Sequence, residues 1–464
     1  MSPADLPTPG LRDADAPEPA DGVGQEHACA CGAGGCGSAE EGAEPELVEV
    51  GLDEYLADLA DALPTPEPAA PAAYDAVLLV GFGGPEGQDD VLPYLRNVTR
   101  GRGIPDERLE EVAVHYRAHG GVSPINEQNR ELRAALTAEL GRRGLDLPVY
   151  WGNRNWAPYL PDALREAHAA GHRRLLAVVT AAYSSYSGCR QYREDLAAAL
   201  ETSGLTGQMT IDKVRQYFDS PGFVAPFVEG VRGALERLRA QEGVAADGVR
   251  VLFATHSIPS AAAAATGPQT GVDADGEYEI PWAQGGAYEA QHHAVADAVM
   301  TAVDETVPWE IVYQSRSGNP RTPWLEPDIN DRIAELAKPV AERLEGDDGD
   351  DQEVNAVVIV PLGFVSDHME VLWDLDNEAL TTAREHAILA ERVPTPGVHP
   401  AFVSGLVDLV AERTLVTAAD GSTAPAGGRS GSATTLGPWY DVCRPGCCLN
   451  PAGAVRPAVA GVAP

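Results

Sequence analysis

The chain has 464 residues, 44% of them hydrophobic, and a formal net charge of −37. That length suits two to three domains with ample core, and so acidic a protein excludes nucleic acid, which needs a basic face. No run of 18 apolar residues occurs, so no transmembrane helix is expected.

Residues 1–70 hold 16 acids against the single base Arg12 and supply −15 of the charge. With their Pro, Ala and Gly content, residues 1–73 read as a disordered acidic leader. The first 30 residues have neither a basic n-region nor an apolar h-region, so a secretory signal is not expected and the cytoplasm is. The leader also holds a knot of His27, Cys29, Cys31 and Cys36, which has no packing support around it and is read as a spectator.

Beyond the leader, strand-like runs alternate with helical periodicity. Val77–Val80 is a buried-type strand leading into Gly81-Phe82-Gly83-Gly84-Pro85. This turn lacks GxGxxG spacing and is followed by acids, so it does not suit a dinucleotide phosphate. Further strands are expected at 148–152, 175–180, 249–254, 310–314 and 356–360, with a helix at 191–200. Such alternation argues for an α/β fold with parallel sheets flanked by helices, in two Rossmann-like halves. The boundaries are placed at 74–245 and 246–417, with an acidic surface loop at 345–353. A Gly/Ser/Thr-rich flexible linker at 418–435 then leads to a cysteine segment at 436–464.

Two places carry chemistry. The strand Ala356–Val360 breaks at Pro361 and Gly363, and the polar loop Ser366-Asp367-His368 opens a helix bearing Glu370, Asp374 and Glu378. At i, i+4 and i+8 these carboxylates drift only about 40° per step, so they share one helix face. A row of oxygen donors at a strand's C-terminal end suits the path of a divalent cation, although a solvated face reads the same way. The strand Val249–Ala254 runs on to His256, at the strand end where open α/β sheets place ligand crevices. An imidazole there can bind metal or take a proton; a satisfied core histidine is the plain alternative.

The segments GGVSPIN (120–126), ATHSIP (254–259), QSRSGNPRTPWLEPDI (314–329) and GFVSDHMEVLWDLDNE (363–378) together resemble the ferrochelatase family in order and spacing, over roughly Tyr74 to Arg413. The resemblance implies two chelatase-type domains with a porphyrin cleft between them, and insertion of Fe2+, as substrate, into a porphyrin. It makes His256 and Glu370 the iron-binding catalytic pair, with Asp374 and Glu378 as outer steps of the metal path. Ser123 and Tyr192 then match substrate contacts, with Arg100 and Tyr116 as further candidates. Phe82 stands where several bacterial relatives have a tyrosine that ligates the product's iron, and it has no donor atom.

Cys443, Cys447 and Cys448 crowd into VCRPGCC, and Cys189 lies in YSSYSGCRQY. Three clustered thiols and one distant thiol make the four ligands of an iron–sulfur cluster. Zinc takes the same set, and free thiols are the third reading. The resemblance implies the branch with a C-terminal 2Fe–2S cluster, and with it coproporphyrin III as the porphyrin, protoporphyrin IX being the alternative. A haem or metal carrier on the same scaffold, and cobalt insertion into a corrin precursor, are the competing functions. A carrier needs neither His256 as base nor the acid row. A monomer is expected, with other haem-pathway enzymes as its protein partners.

Overall fold

The computed structural model describes residues 52–63, 68–101, 103–245, 247–268, 271–272, 278–279, 285–317, 321–343, 352–418, 420–444, 446–451 and 453–461. The leader cysteines and residues 345–351 of the acidic loop lie outside them.

Helix α1 (Leu52–Ala62) precedes strand β1 (Ala76–Gly81), which leads through α2 (Val91–Val98), α3 (Asp106–Ala118) and α4 (Ile125–Arg142) to β2 (Val149–Asn153). Helix α5 (Leu160–Ala169), β3 (Arg174–Val179), α6 (Gln191–Ser203), β4 (Thr210–Lys213) and α7 (Pro221–Arg239) follow. Then come β5 (Val249–His256), α8 (Ser260–Ala264), the short strands β6 (Gly271–Val272) and β7 (Tyr278–Glu279), α9 (Gly286–Val303) and β8 (Trp309–Gln314). Helix α10 (Ile329–Leu336), β9 (Ala356–Val360), a π-helix at Val371–Ala379, α11 (Leu380–Glu385), β10 (Leu389–Arg392) and α12 (Pro400–Arg413) complete the main body. The chain closes with β11 (Leu415–Thr417) paired to β12 (Thr423–Pro425).

Two four-stranded sheets result, ordered β2-β1-β3-β4 and β10-β9-β5-β8, and every pairing within them is parallel. Alternation along β1 explains why the strands read as unbroken apolar runs. Val77 and Leu79 face Leu132, Leu136 and Leu140 of α4, whereas Ala76, Leu78 and Val80 face Leu160, Leu164 and Leu196 of α5 and α6. In the second sheet, Val251, Phe253, Val358 and Val360 enter the same core as α7, α9 and α12. Leu252, Val357 and Ile359 pack on Ile329 and Ile333 of α10 and on Val371 and Leu375 of the π-helix. Both faces of both sheets are therefore dry, as parallel sheets require. One apolar core joins the inner faces of the two sheets, with α12 packed on both α4 and α7.

Two expectations are corrected. Within the stretch read as a disordered leader, Leu52–Ala62 form α1, whose Leu56 and Leu59 are buried in the shared core. The acids Asp53, Glu54, Asp58 and Asp61 hid an apolar face at helical spacing. The stretch 418–435, read as a flexible linker, is tied down instead. Besides carrying β12, it bonds Ser430 N to Glu412 Oε2 at 2.9 Å and Ala433 N to Asp219 O at 2.7 Å, and Arg429 Nη1 pairs with Asp441 at 2.7 Å.

Candidate active site

Strand β5 ends at His256, in register with Gln314 at the end of β8. The Nδ1 of His256 donates to the carbonyl of Ser257, and because a carbonyl can only accept, the proton sits on Nδ1. The Nε2 lone pair is left facing Glu370, with Oε2 at 3.8 Å. The hydroxyl of Tyr288 steadies the strand end by donating to His256 O at 2.8 Å. Glu370 is half-exposed and has a second imidazole beside it. His368 Nδ1 accepts the backbone N–H of Glu370 at 3.2 Å and lies 3.9 Å from its Oε2. Burial holds the His368 pKa below the ordinary histidine value, partly offset by the Glu370 carboxylate.

The segment after Glu370 is a π-helix, with i→i+5 bonding, rather than the α-helix that the acid spacing implied. The three acids still neighbour one another. Burial pushes Asp374 up to about 7, with Glu370 and Glu378 adding to the shift against a hydrogen bond from Ser315. Gln314 Nε2 donates to Asp374 Oδ2 at 3.3 Å and to Glu370 O at 3.2 Å, so one amide spans two members of the row. Ser315, in the left-handed region at φ 61°, donates to the same Asp374 oxygen. Glu378 is exposed. Its Oε1 accepts the indole N–H of Trp373 at 2.7 Å, and that indole stacks on His115 of α3 with ring centroids 4.1 Å apart and planes 7° from parallel.

Opposite the acids lies an aromatic wall. Tyr94 and Tyr116 pack edge to face at 5.8 Å, Trp156 meets Tyr94 at 6.0 Å, and Phe82 joins the same cluster as Met369, the residue before Glu370. Burial raises both phenols far above the usual tyrosine range, and the charge of Glu370 adds to it. Tyr116 is thereby placed beside the acid row and kept neutral. Ser123 is buried beneath the glycine turn, its N–H donating to Pro85 O at 2.9 Å. A Cβ on Gly84 would lie 2.7 Å from Ser123 Cβ, so only glycine lets the turn lie this close. Tyr192 is buried under the Arg154 guanidinium, 4.5 Å from its ring centroid, and the same guanidinium is 5.7 Å from the ring of Phe82. Arg100 lies exposed just beyond α2, its Nη2 donating to Asn97 at 2.6 Å, and Asn97 in turn donates to Asn155 O, the residue before Trp156.

The thiols form a separate site. Cys189 sits in a π-turn (Tyr186–Arg190) before α6, with its Sγ 3.7 Å from that of Cys443; Cys447 and Cys448 are also 3.7 Å apart. None forms a disulfide. Hydrogen bonds from Cys189 and Cys447 hold the Cys443 thiol well below its usual pKa, while the bond it gives to Cys443 drives Cys189 up. The buried Lys213 ammonium and Arg193 guanidinium face this group.

A family model described as Ferrochelatase matches residues 74–414. The chain belongs to the ferrochelatase family. A coproporphyrin III ferrochelatase of Leifsonia xyli subsp. xyli is 62% identical over 397 residues, covering 85% of this chain and 96% of its own length. One of Tropheryma whipplei (strain Twist) is 52% identical over 396 residues, covering 84% and 93%. A ferrochelatase of Rhodopirellula baltica is 46% identical over 391 residues, covering 84% and 97%. Among solved structures, SirB from Bacillus subtilis with Fe3+ aligns with a TM-score of 0.39 at 12% identity over 73% of this chain and 95% of that chain, a likeness too slight to carry an argument. As a ferrochelatase the chain is an enzyme whose substrates are a porphyrin and Fe2+. No helix among the described residues is long and apolar enough to cross a membrane.

Three side chains at this ferrochelatase site escaped the sequence. His368 was visible only as one polar residue in a loop. Trp373 lay inside the helix motif with no reason to single out an aromatic. Arg154 stands in GNRNWAP, where nothing links it to Phe82 or to Tyr192 further along. Only the end of β2, beside β1, brings it there.

Proposed function

We propose that this ferrochelatase is a cytoplasmic, monomeric lyase that inserts Fe2+ into coproporphyrin III, giving coprohaem for haem synthesis. The observation that carries the site assignment is the His256–Glu370 pair, 3.8 Å apart at a strand end and facing an aromatic wall. The names of the relatives at 62% and 52% identity support coproporphyrin III as the porphyrin.

Insertion breaks two pyrrole N–H bonds, releases two protons and forms the iron–nitrogen bonds without net electron transfer. Phe82 and Trp156, partly exposed over the buried Tyr94 and Tyr116, offer the macrocycle an uneven apolar surface, and Ser123 and Tyr192 lie at its margin. A wall that fits the bent ring better than the flat one exposes the nitrogen lone pairs and lowers the barrier by differential binding. His256, with its Nε2 lone pair free, accepts a pyrrole proton. Fe2+ arrives along Glu378 and Asp374 to Glu370, through hard oxygen donors that bind without trapping. Glu370 replaces part of its water shell beside the ring. Phe82 supplies no axial donor to the product.

We assign a [2Fe–2S] cluster to Cys189, Cys443, Cys447 and Cys448. The thiol pairs at 3.7 Å match the edge of a tetrahedron built on metal–sulfur bonds of about 2.3 Å. Burial and two nearby cations suit an anionic centre. Bound there, the cluster supplies a one-electron centre and a cross-link between the C-terminal segment and α6.

The deciding experiment incubates anaerobic protein with Fe2+ and each porphyrin while the Soret band is followed. Turnover of coproporphyrin III at a kcat/KM at least tenfold above that of protoporphyrin IX is expected. The reverse preference refutes the substrate, and binding without turnover of either refutes the enzyme.

A further inference from the structure

Two fully buried cations beside the thiols have no carboxylate partner among the described residues. Lys213 ends strand β4, and its ammonium donates only to Val214 O at 2.9 Å and to the Gln216 amide. Arg193 lies one helical turn beyond Cys189 on α6. Its guanidinium reaches the Cys189 thiol, but Nε and Nη1 are buried with no acceptor. By contrast the next buried arginine, Arg215, is closed by Asp219 and Glu412. An unpaired buried charge costs several kcal/mol, so two of them side by side call for an anion between them. Arg193 and Gln216, the side chain that accepts from Lys213, border a cavity lined also by Cys189, Cys443 and Cys447. Arg444 also lines it, but is partly exposed, with its guanidinium over the Tyr440 ring at 5.4 Å.

We infer that Lys213 and Arg193 are the built-in counter-ions of the metal–thiolate centre and set its charge balance. Two ferric ions, two sulfides and four thiolates carry a net charge of two negatives, which these two cations cancel. Adding one electron leaves one negative charge uncompensated. The oxidised centre is therefore the one that this pocket neutralises, and each cation removed makes reduction harder. The metal-free pocket holds the opposite imbalance, two positive charges with only the low-pKa Cys443 thiol to meet them. Metal loading and closure of the C-terminal segment are thus coupled through charge as well as through the metal–sulfur bonds. This inference rests on the four thiols holding a metal centre, and deepens that reading by naming the residues that tune it.

The test uses full-length protein purified anaerobically, with the midpoint potential read by spectroelectrochemistry. Lys213→Met and Arg193→Gln are each expected to lower the potential by at least 59 mV, a tenfold change in the one-electron equilibrium. Arg193→Lys, which keeps the charge, stays within a third of that shift. Arg444→Gln, at the partly exposed position, moves it less than either buried variant, and Lys338→Met, on the exposed surface, does not move it. Potentials unchanged in Lys213→Met and Arg193→Gln, with the cluster retained, overturn the inference while leaving the ligand assignment intact. If Arg193→Gln loses the cluster, retention in Arg193→Lys supports a role for charge, and loss in both overturns it in favour of packing. Should the wild type hold zinc, which with four thiolates carries the same two negative charges, the readout becomes the rate of zinc loss to a chelator. It rises at least tenfold in the two charge-removing variants, and an unchanged rate overturns the inference. Wild-type protein with neither iron nor zinc at the thiols refutes the ligand assignment itself, and the counter-ions with it.

Discussion

Two regions of this ferrochelatase, the proposed iron path and the proposed thiolate centre, are built on opposite plans. The His256–Glu370 site is half-open, and its Glu378 is fully at the surface. Its donors are oxygens and imidazoles held loosely through Gln314, Ser315 and Trp373. The thiol site is more enclosed, with Cys189, Cys447 and Cys448 buried, Trp439 and Tyr440 in its lining, buried cations against it and Asp219 fastening the segment by accepting from Trp439 N at 2.9 Å. The difference suits the role proposed for each. Iron on its way into a ring has to leave its donors within a turnover, whereas a resident centre must outlast the protein's working life. Exposed hard donors release readily, and buried thiolates do not.

The comparison breaks first at His256. His256→Ala is expected to lower kcat by about 10³-fold with porphyrin binding intact, checked by Soret titration beside turnover; near-normal kcat would sink the base assignment. On the thiol side, Asp219→Ala should cost about 3–5 kcal/mol because it leaves the buried Arg215 with Glu412 as its one carboxylate and removes the acceptor of Trp439 N. Urea unfolding measures that loss, and a change under 1 kcal/mol would show that the network is not needed. Glu370→Gln keeps the shape but removes the charge, and kcat should fall about 10²-fold. Asp374→Asn should leave kcat nearly unchanged and raise KM for Fe2+ by roughly tenfold. An effect confined to porphyrin affinity would contradict the metal path.

The smallest effect is a pH dependence of the scaffold behind His256. Burial lowers the pKa of His292 from 6.5 to about 3, so the folded chain binds its neutral form. The stability this residue contributes is full above pH 6.5 and is lost as pH falls from there toward 3. His292→Gln should flatten that loss, seen as a smaller gap between urea midpoints at pH 7 and pH 4.5. An unchanged gap would assign the acid sensitivity to other groups.

Much of this fold was legible because strands covered on both faces must read as apolar runs, as Val77–Val80 and Ala356–Val360 do. The positions of His256 and Glu370 were legible for a related reason, since His256 ends such a strand and Glu370 opens the helix after the loop that follows another. Helix α1 was not, because its acids dominate the local composition and its partners lie in distant parts of the chain. The π-helix was invisible too, since the i, i+4, i+8 spacing fits an α-helix equally well. The contacts of Arg154 and of Lys213 depend on sheet order, which no local pattern encodes.

The π-helix at Val371–Ala379 has an evolutionary consequence. Each hydrogen-bonded loop holds one residue more than in an α-helix, so the segment amounts to an insertion absorbed without breaking the element. Substitutions within it trade one donor for another and leave the spacing alone. Loss of a single residue between Glu370 and Asp374 would let the backbone relax to α geometry and turn every later side chain by about 100°. Asp374 would leave Ser315 and Glu378 would leave Trp373 together. This stretch should therefore drift in composition among descendants while its length stays fixed. A deletion scan would show a sharp trough here.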